Sequence, residues 1–98
     1  MLITILTGHV SDENDEILKS RFAQELRHPP QGLLQTFLIQ SQDNPRRWQI
    51  ISIWRSREAY EQAHNEKLTD VCVQMFCDAG STPERTIFRV VGNYTRMV

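Results

Sequence analysis

The order in which strand-like and helix-like segments alternate constrains the fold of this chain more than any other feature. Four runs are rich in apolar and β-branched residues, as β-strands are, and they cover residues 2–7, 33–40, 48–54 and 86–94. Apolar residues recur at helical spacing between the first and second runs, and again between the third and fourth. The predicted order of elements is therefore β-α-β-β-α-β.

Capping and turn residues set the expected limits of the helices. The first helix should begin at Ser11 or Asp12 and end before Pro29-Pro30, because the residue before a proline avoids helical conformations. Ser56 should cap the second helical region, which we expect to be interrupted at Asn65 and to continue as a second piece. Turn-forming residues separate the second and third strands, so these strands should form a hairpin.

This order is that of a ferredoxin-like α+β domain, in which an antiparallel four-stranded sheet carries the helices on one face. Right-handed crossovers between strands place both helical regions on the same side of the sheet. A chain of 98 residues has the size of one domain, and we expect a single domain over residues 1–98.

Both faces of the predicted sheet are apolar. In the third strand Ile51 and Ile53 point to one face, and the residues on the other face are Trp48, Ile50, Ser52 and Trp54. We expect the helices to cover Ile51 and Ile53, and Trp54 to face a cavity on the other side of the sheet. An uncovered apolar face promotes association. This second side should therefore be covered by another copy of the chain in a two-fold dimer.

Composition and charge argue against several classes of function. The net charge is −1 without a basic block, which argues against nucleic acid as a partner. No apolar run approaches the roughly 18 residues of a membrane span, and the N-terminal segment lacks the basic region of a signal peptide. We therefore expect no membrane association and a cytoplasmic location. Cys72 and Cys77 form no metal-binding motif with the three histidines, so we expect reduced thiols and no metal site.

The junction between the third strand and the next helix carries a recognisable pattern. It reads W-x-S-x-E-A-Y-x-x-A-H, and its matching residues are Trp54, Ser56, Glu58, Ala59, Tyr60 and His64. Together with the element order and the two apolar sheet faces, it resembles the antibiotic biosynthesis monooxygenase (ABM) domain family over nearly the whole chain. The resemblance implies a dimeric α+β barrel, a fold that hosts more than one function.

The resemblance implies a cofactor-independent monooxygenase that acts on a small aromatic or quinol-like substrate. Family members that form quinones oxidise polycyclic phenols with molecular oxygen and use neither metal nor flavin, because the substrate supplies the electrons. The protein then contributes an apolar pocket and groups that stabilise a phenolate. The alternative is a non-catalytic dimeric module that binds a small hydrophobic metabolite. A catalytic pocket should hold an ionisable side chain, whereas a binding module needs only apolar walls.

Two candidate site residues come from this resemblance. Trp54 and Tyr60 match a Trp and a Tyr of the quinone-forming members, whereas the Asn and Arg of those members are replaced by Ile50 and Gln74. Both candidates also have a structural alternative, because a buried Trp or Tyr most often packs in a core.

Two imidazoles complete the candidate site. His9 follows the first strand, where loops flank a cavity mouth, and it can act as a general base because imidazoles titrate near neutral pH. His64 ends the family-like junction. The alternatives are an ordinary loop residue for His9 and an interaction with the helix dipole for His64.

A sister group within the resemblance degrades haem. The Asn, second Trp and axial His of that group correspond to Leu6, Ala63 and Val73 in this sequence. None of these side chains can ligate haem iron as an imidazole does, so we expect no haem and no other cofactor.

Overall fold

The computed structural model describes residues 1–97, and the predicted order of elements is confirmed. The second helical region is split in two, as predicted, and a short 3₁₀ turn at Asp12–Asn14 precedes the first helix. The elements are β1 (Leu2–His9), α1 (Asp15–Glu25), β2 (Leu33–Gln40), β3 (Arg47–Trp54), α2 (Arg57–Asn65), α3 (Asp70–Asp78) and β4 (Glu84–Arg89).

The sheet is antiparallel throughout, with the strand order β2-β3-β1-β4. This is the ferredoxin-like arrangement, and the hairpin between β2 and β3 is confirmed. The last strand is shorter than predicted. It ends at Arg89, which pairs with Leu2 at the start of β1, and one further hydrogen bond joins the Val90 amide to the Met1 carbonyl. Beyond that point β1 offers no partner for the backbone of β4.

The predicted assignment of the sheet faces is wrong. The helices cover the face of β3 that carries Trp48, Ile50, Ser52 and Trp54, whose exposed fractions are 3%, 2%, 7% and 4%. Ile51 and Ile53 are half-buried on the opposite face. Strand alternation determines which residues share a face. It does not determine which of two apolar faces receives the helices, because that depends on the helix stripes and the crossovers.

The face without helices, called here the open face, is nevertheless apolar as predicted. Strand register places seven large apolar side chains on it, namely Ile3, Ile5, Phe37, Ile39, Ile51, Ile53 and Phe88. Phe37 is 45% exposed and Phe88 is 49% exposed. An apolar surface that crosses all four strands is characteristic of an association surface.

Two buried clusters form the core between the sheet and the helices. The larger one contains Leu18, Ile50, Met75 and Phe76, and it joins α1 and α3 to the sheet. The smaller one contains Leu2, Trp54, Tyr60 and Ala63, and it joins α2 to the end of the sheet where β3 finishes.

The start of α2 is fixed by local contacts. The predicted cap is confirmed, since the Ser56 hydroxyl accepts a hydrogen bond from the Ala59 amide at 3.1 Å. Gly32 adopts a positive φ of 88°, and a Cβ atom there would lie 2.6 Å from Ala59 Cβ. Its carbonyl also accepts a hydrogen bond from the Arg55 amide at 2.8 Å. The loop before β2 therefore packs tightly on α2 and helps to place Tyr60.

Among residues 1–97, no helix is both long and apolar enough to cross a membrane.

Candidate functional site

A partly open cavity of about 280 Å³ lies between the helices and the helix-covered face of the sheet. Its walls are mainly apolar and come from both core clusters, with Leu6, Ile50 and Met75 from the larger and Trp54 and Tyr60 from the smaller. This volume is close to the lower end of the range for small-molecule pockets, which is about 300–1,000 Å³. The cavity suits a ligand with one or two rings.

Three aromatic rings follow one another at one end of the cavity. The rings of Trp54 and Tyr60 meet edge to face, with centroids 5.5 Å apart and planes at 69°. The Tyr60 ring stacks on the His64 ring, with centroids 5.7 Å apart and planes at 19°. Trp54 and Tyr60 line the cavity, whereas His64 lies behind Tyr60 and is exposed. Within residues 1–97 the Tyr60 hydroxyl forms no hydrogen bond, so it is available to a ligand.

A row of hydroxyl groups crosses the apolar floor of the cavity. Thr36, Ser52 and Thr4 pair with one another across β2, β3 and β1, so their side chains lie side by side. The hydroxyls of Thr36 and Ser52 are 3.0 Å apart, and Thr4 Oγ1 accepts a hydrogen bond of 3.2 Å from Trp54 Nε1. Thr4 and Ser52 are only 8% and 7% exposed. The row gives the floor both donors and acceptors.

Arg85 provides positive charge at the cavity wall. It pairs with Leu6 in the β1–β4 ladder, and it lines the cavity from the edge strand. Its Nη2 donates to the Thr69 carbonyl at 3.2 Å, and its Nη1 lies 3.5 Å from His64 Nδ1. The same His64 nitrogen is 2.9 Å from Thr69 Oγ1. Within the part of the chain that the structure describes, Arg85 forms no ion pair.

Cys72 lies in the cavity wall as a protonated thiol. Burial raises the pKa of Cys72, the positive charge of Arg85 partly offsets this rise, and the negative charge of Glu25 adds to it. A raised pKa lowers the fraction of reactive thiolate at neutral pH. The geometry therefore gives Cys72 a packing role and not that of a nucleophile.

The structure brings together three of the four predicted site residues. His9 is the exception, because it lies at the opposite end of β1 from Leu2, the residue that pairs with Trp54. The seven residue-to-residue steps from Leu2 to His9 span roughly 23 Å. His9 is exposed, and its amide donates to Ser81 Oγ at 3.1 Å. It is not one of the residues that line the cavity.

Sequence reasoning missed Arg85 and the hydroxyl row. The row has a weak signal in sequence, because Thr4, Thr36 and Ser52 interrupt strands that are otherwise apolar on that face. Arg85 has no comparable signal. It lies just before the predicted start of the last strand, at residue 86, so strand alternation predicts no sheet face for it.

Residues 1–97 contain no cluster of side chains suited to bind a metal ion. No group of three or more His, Cys, Asp or Glu side chains lies close enough together there to hold a metal ion.

Comparison with protein families identifies a match over most of the chain. The family model described as antibiotic biosynthesis monooxygenase matches residues 1–71, which include β1 to α2 and the Trp54–His64 junction. Comparison with curated proteins gives no significant match.

Solved structures of similar fold cover almost the whole chain. A candidate antibiotic biosynthesis monooxygenase from Deinococcus radiodurans is 18% identical, with a TM-score of 0.71 and full coverage of both chains. SnoaB, a cofactor-independent oxygenase from Streptomyces nogalater, is 16% identical with a TM-score of 0.67, and 97% of each chain is covered. MhuD, a haem degrader from Mycobacterium tuberculosis, is 19% identical with a TM-score of 0.74, over 97% of this chain and 100% of MhuD. At these identities the comparisons establish the fold.

Proposed function

Since this chain belongs to the antibiotic biosynthesis monooxygenase family, we propose that it is a cofactor-independent monooxygenase for a small aromatic or quinol-like substrate. One observation carries the proposal. Trp54 and Tyr60, the two residues that match the quinone-forming members, both line one apolar cavity of ligand size. The ionisable Tyr60 hydroxyl in that wall favours an enzyme over the alternative, a non-catalytic dimeric module that binds a small hydrophobic metabolite.

The proposed reaction converts a phenol and molecular oxygen into a quinone and water. One oxygen atom forms a bond to the ring carbon opposite the phenolic oxygen. The other oxygen atom leaves as water with two hydrogens, one from the phenolic O–H and one from the C–H bond that breaks. The phenol supplies the electrons that reduce oxygen, so the reaction is balanced without an additional reductant.

The protein contributes orientation and stabilisation of charge in this proposal. Trp54 forms a flat wall for the substrate ring, and the Tyr60 hydroxyl and the hydroxyl row of Ser52 and Thr36 donate to the phenolic oxygen. Fixed donors in an apolar cavity stabilise a developing phenolate more strongly than water does once the substrate has displaced water from the site. His64 acts as a positioning residue, because it stacks on Tyr60 from behind. His9 takes no part, since it lies far from the cavity.

Haem does not enter the proposal, because the side chains at the corresponding positions do not fit it. Val73 on α3, where the haem-degrading pattern has its axial imidazole, packs against the larger core cluster. Ala63 is 3% exposed within the smaller cluster, and Leu6 lines the cavity as an apolar wall.

We extend the proposal to assembly and location. A homodimer would cover the open face by pairing two sheets, and residues 1–98 would act as one domain in each copy. Cys72 and Cys77 are both free thiols, and the cytoplasm is the compartment in which free thiols stay reduced.

Oxygen uptake tests the proposed activity. We expect oxygen consumption with members of a panel of naphthols and hydroquinones, and incorporation of one atom of labelled oxygen into the quinone formed from a naphthol. Tyr60→Phe should lower kcat by tenfold or more, because it removes a hydroxyl from the reacting end of the cavity. Tyr94→Phe is the matched control, since Tyr94 is 79% exposed. Saturable binding of the panel without oxygen consumption would favour the binding module.

A further inference from the structure

We infer that the ligand of this cavity is an aromatic acid whose carboxylate is bound by Arg85 and whose ring hydroxyl is bound by the Thr36–Ser52–Thr4 row. The inference deepens the proposed function, on which it rests for the identity of the cavity as the substrate site, and it names the chemical class of the substrate.

The Arg85 guanidinium has donors that its neighbours leave unused. This group has five N–H donors, and the contacts within residues 1–97 are one hydrogen bond to the Thr69 carbonyl and one longer contact to His64 Nδ1. No carboxylate pairs with it there. A partly buried cation without a counter-ion is costly unless an anion compensates it. The remaining donors suit the two oxygens of a carboxylate, which Arg binds through parallel hydrogen bonds.

The cavity wall contains both a basic and an acidic side chain. Besides Tyr60 and Cys72, the cavity is lined by one acidic and two basic residues, namely Glu25, His28 and Arg85. Glu25 and His28 come from the end of α1 and the loop after it, whereas Arg85 comes from the edge strand β4. Glu25 and Arg85 form no ion pair. Both charges act on the Cys72 thiol, with opposite effects on its pKa. A ligand carboxylate is attracted by Arg85 and repelled by Glu25, so Arg85 is the favoured position for the charged group.

The hydroxyl row on the cavity floor offers a binding site for a ring hydroxyl. Thr4 and Ser52 are more than nine-tenths buried, yet they lie among apolar neighbours on a face that elsewhere carries Leu2, Leu6 and Ile50. The diagonal distance from Thr4 to Arg85 across the β1–β4 ladder is about 7–8 Å between backbone positions. A ring that spans this distance can place a carboxylate at Arg85 and a hydroxyl on the row at the same time. The cavity of about 280 Å³ limits such a ligand to one or two rings.

Calorimetric titration with two matched probes tests the inference. The probes are 6-hydroxy-2-naphthoate and 6-(hydroxymethyl)-2-naphthol, which share the ring and its hydroxyl and differ in the charged group. We expect the wild-type protein to bind the acid at least tenfold more tightly, since a charge-assisted hydrogen-bonded pair has about that effect. Arg85→Gln should remove this preference and leave the affinity for the neutral probe within about twofold.

Two further variants separate a specific contact from general effects. Arg89→Gln is the matched control, because Arg89 lies on the same strand and the same side of the sheet but is exposed and outside the cavity wall. It should keep the preference for the acid. Arg85→Lys should restore part of it, because lysine supplies the charge without the planar pair of donors.

Several outcomes would overturn the inference. One is that the wild type binds both probes with equal affinity or binds neither. Another is that Arg85→Gln and Arg85→Lys each lose affinity for the acid and for the neutral probe to the same extent. Oxygen uptake keeps these outcomes distinct from a failure of the proposed function. If the protein oxidises neutral naphthols and shows no preference for acids, only the inference is contradicted. If it binds the acid through Arg85 but consumes no oxygen with any compound of the panel, only the proposed monooxygenase activity is contradicted.

Discussion

The indole Nε1 of Trp54 donates a hydrogen bond of 3.2 Å to Thr4 Oγ1, across the ladder between β3 and β1. Both side chains are less than a tenth exposed. The bond satisfies the only polar atom of a buried indole, and it fixes the ring in the orientation that meets Tyr60 edge to face. One threonine on the cavity floor thus sets the position of the aromatic wall.

Thr4→Val should therefore destabilise the protein. The variant keeps the shape of the side chain but leaves the Trp54 N–H buried without an acceptor, which costs about 1–3 kcal/mol. Chemical denaturation followed by Trp fluorescence measures the loss. Thr86→Val is the control, because Thr86 is exposed on β4, and we expect its unfolding free energy to change by less than about 0.5 kcal/mol. Equal stability of Thr4→Val and the wild type would show that the hydrogen bond contributes nothing.

Trp54→Ala should be more destabilising than Ile53→Ala. Trp54 is 4% exposed in the core between sheet and helices, and truncation of a buried Trp costs about 3–5 kcal/mol. Ile53 is half-buried on the open face of one chain, and even where a partner copy covers that face, its smaller side chain loses less packing than an indole does. Denaturant midpoints of the two variants, measured at the same protein concentration, decide the order. A larger loss for Ile53→Ala would place the main core on the other side of the sheet.

A charge on the open face should dissociate the proposed homodimer. Phe88 and Ile87 are neighbours on β4 and are equally exposed, at 49% and 47%, but register places Phe88 on the open face and Ile87 on the other side. We expect Phe88→Lys to be monomeric at micromolar concentration and Ile87→Lys to remain dimeric. Light scattering reports the mass. A wild-type monomer under these conditions would refute the dimer, whose interface should bury more than about 1,000 Å².

Cys72 should react with thiol reagents much more slowly than Cys77. Burial raises the pKa of Cys72, whereas Cys77 is exposed, and only the thiolate is nucleophilic. Modification rates at pH 8 of Cys72→Ala and Cys77→Ala, each with one remaining thiol, measure the difference. Comparable rates in the two variants would contradict the buried position of Cys72.

The same shift predicts a loss of stability at alkaline pH. The folded protein holds the Cys72 proton more tightly than the unfolded chain does, so ionisation of the thiol disfavours the fold. The free energy of unfolding should be insensitive to this group below the ordinary thiol pKa of 9.0 and should fall as the pH rises through the raised pKa. Cys72→Ala should lack this part of the pH dependence.

The sequence by itself determined the element order, the hairpin and the cap at Ser56, because these depend on local periodicity and on short-range hydrogen bonds. It also grouped Trp48, Ile50, Ser52 and Trp54 on one face, since alternation along a strand is a property of the backbone. The family-like junction around Tyr60 was visible as a pattern of residue types.

Only the tertiary structure decided which apolar face the helices cover, because both faces satisfy the same alternation and the helix stripes select between them. It also decided which polar groups meet. Arg85 lies sixteen residues beyond Thr69 in the chain and donates directly to its carbonyl in the cavity wall, whereas His9 ends β1 at the far end of the sheet. Antiparallel pairing fixes these distances, since it brings the start of β1 to the end of β3 and carries the end of β1 away from it.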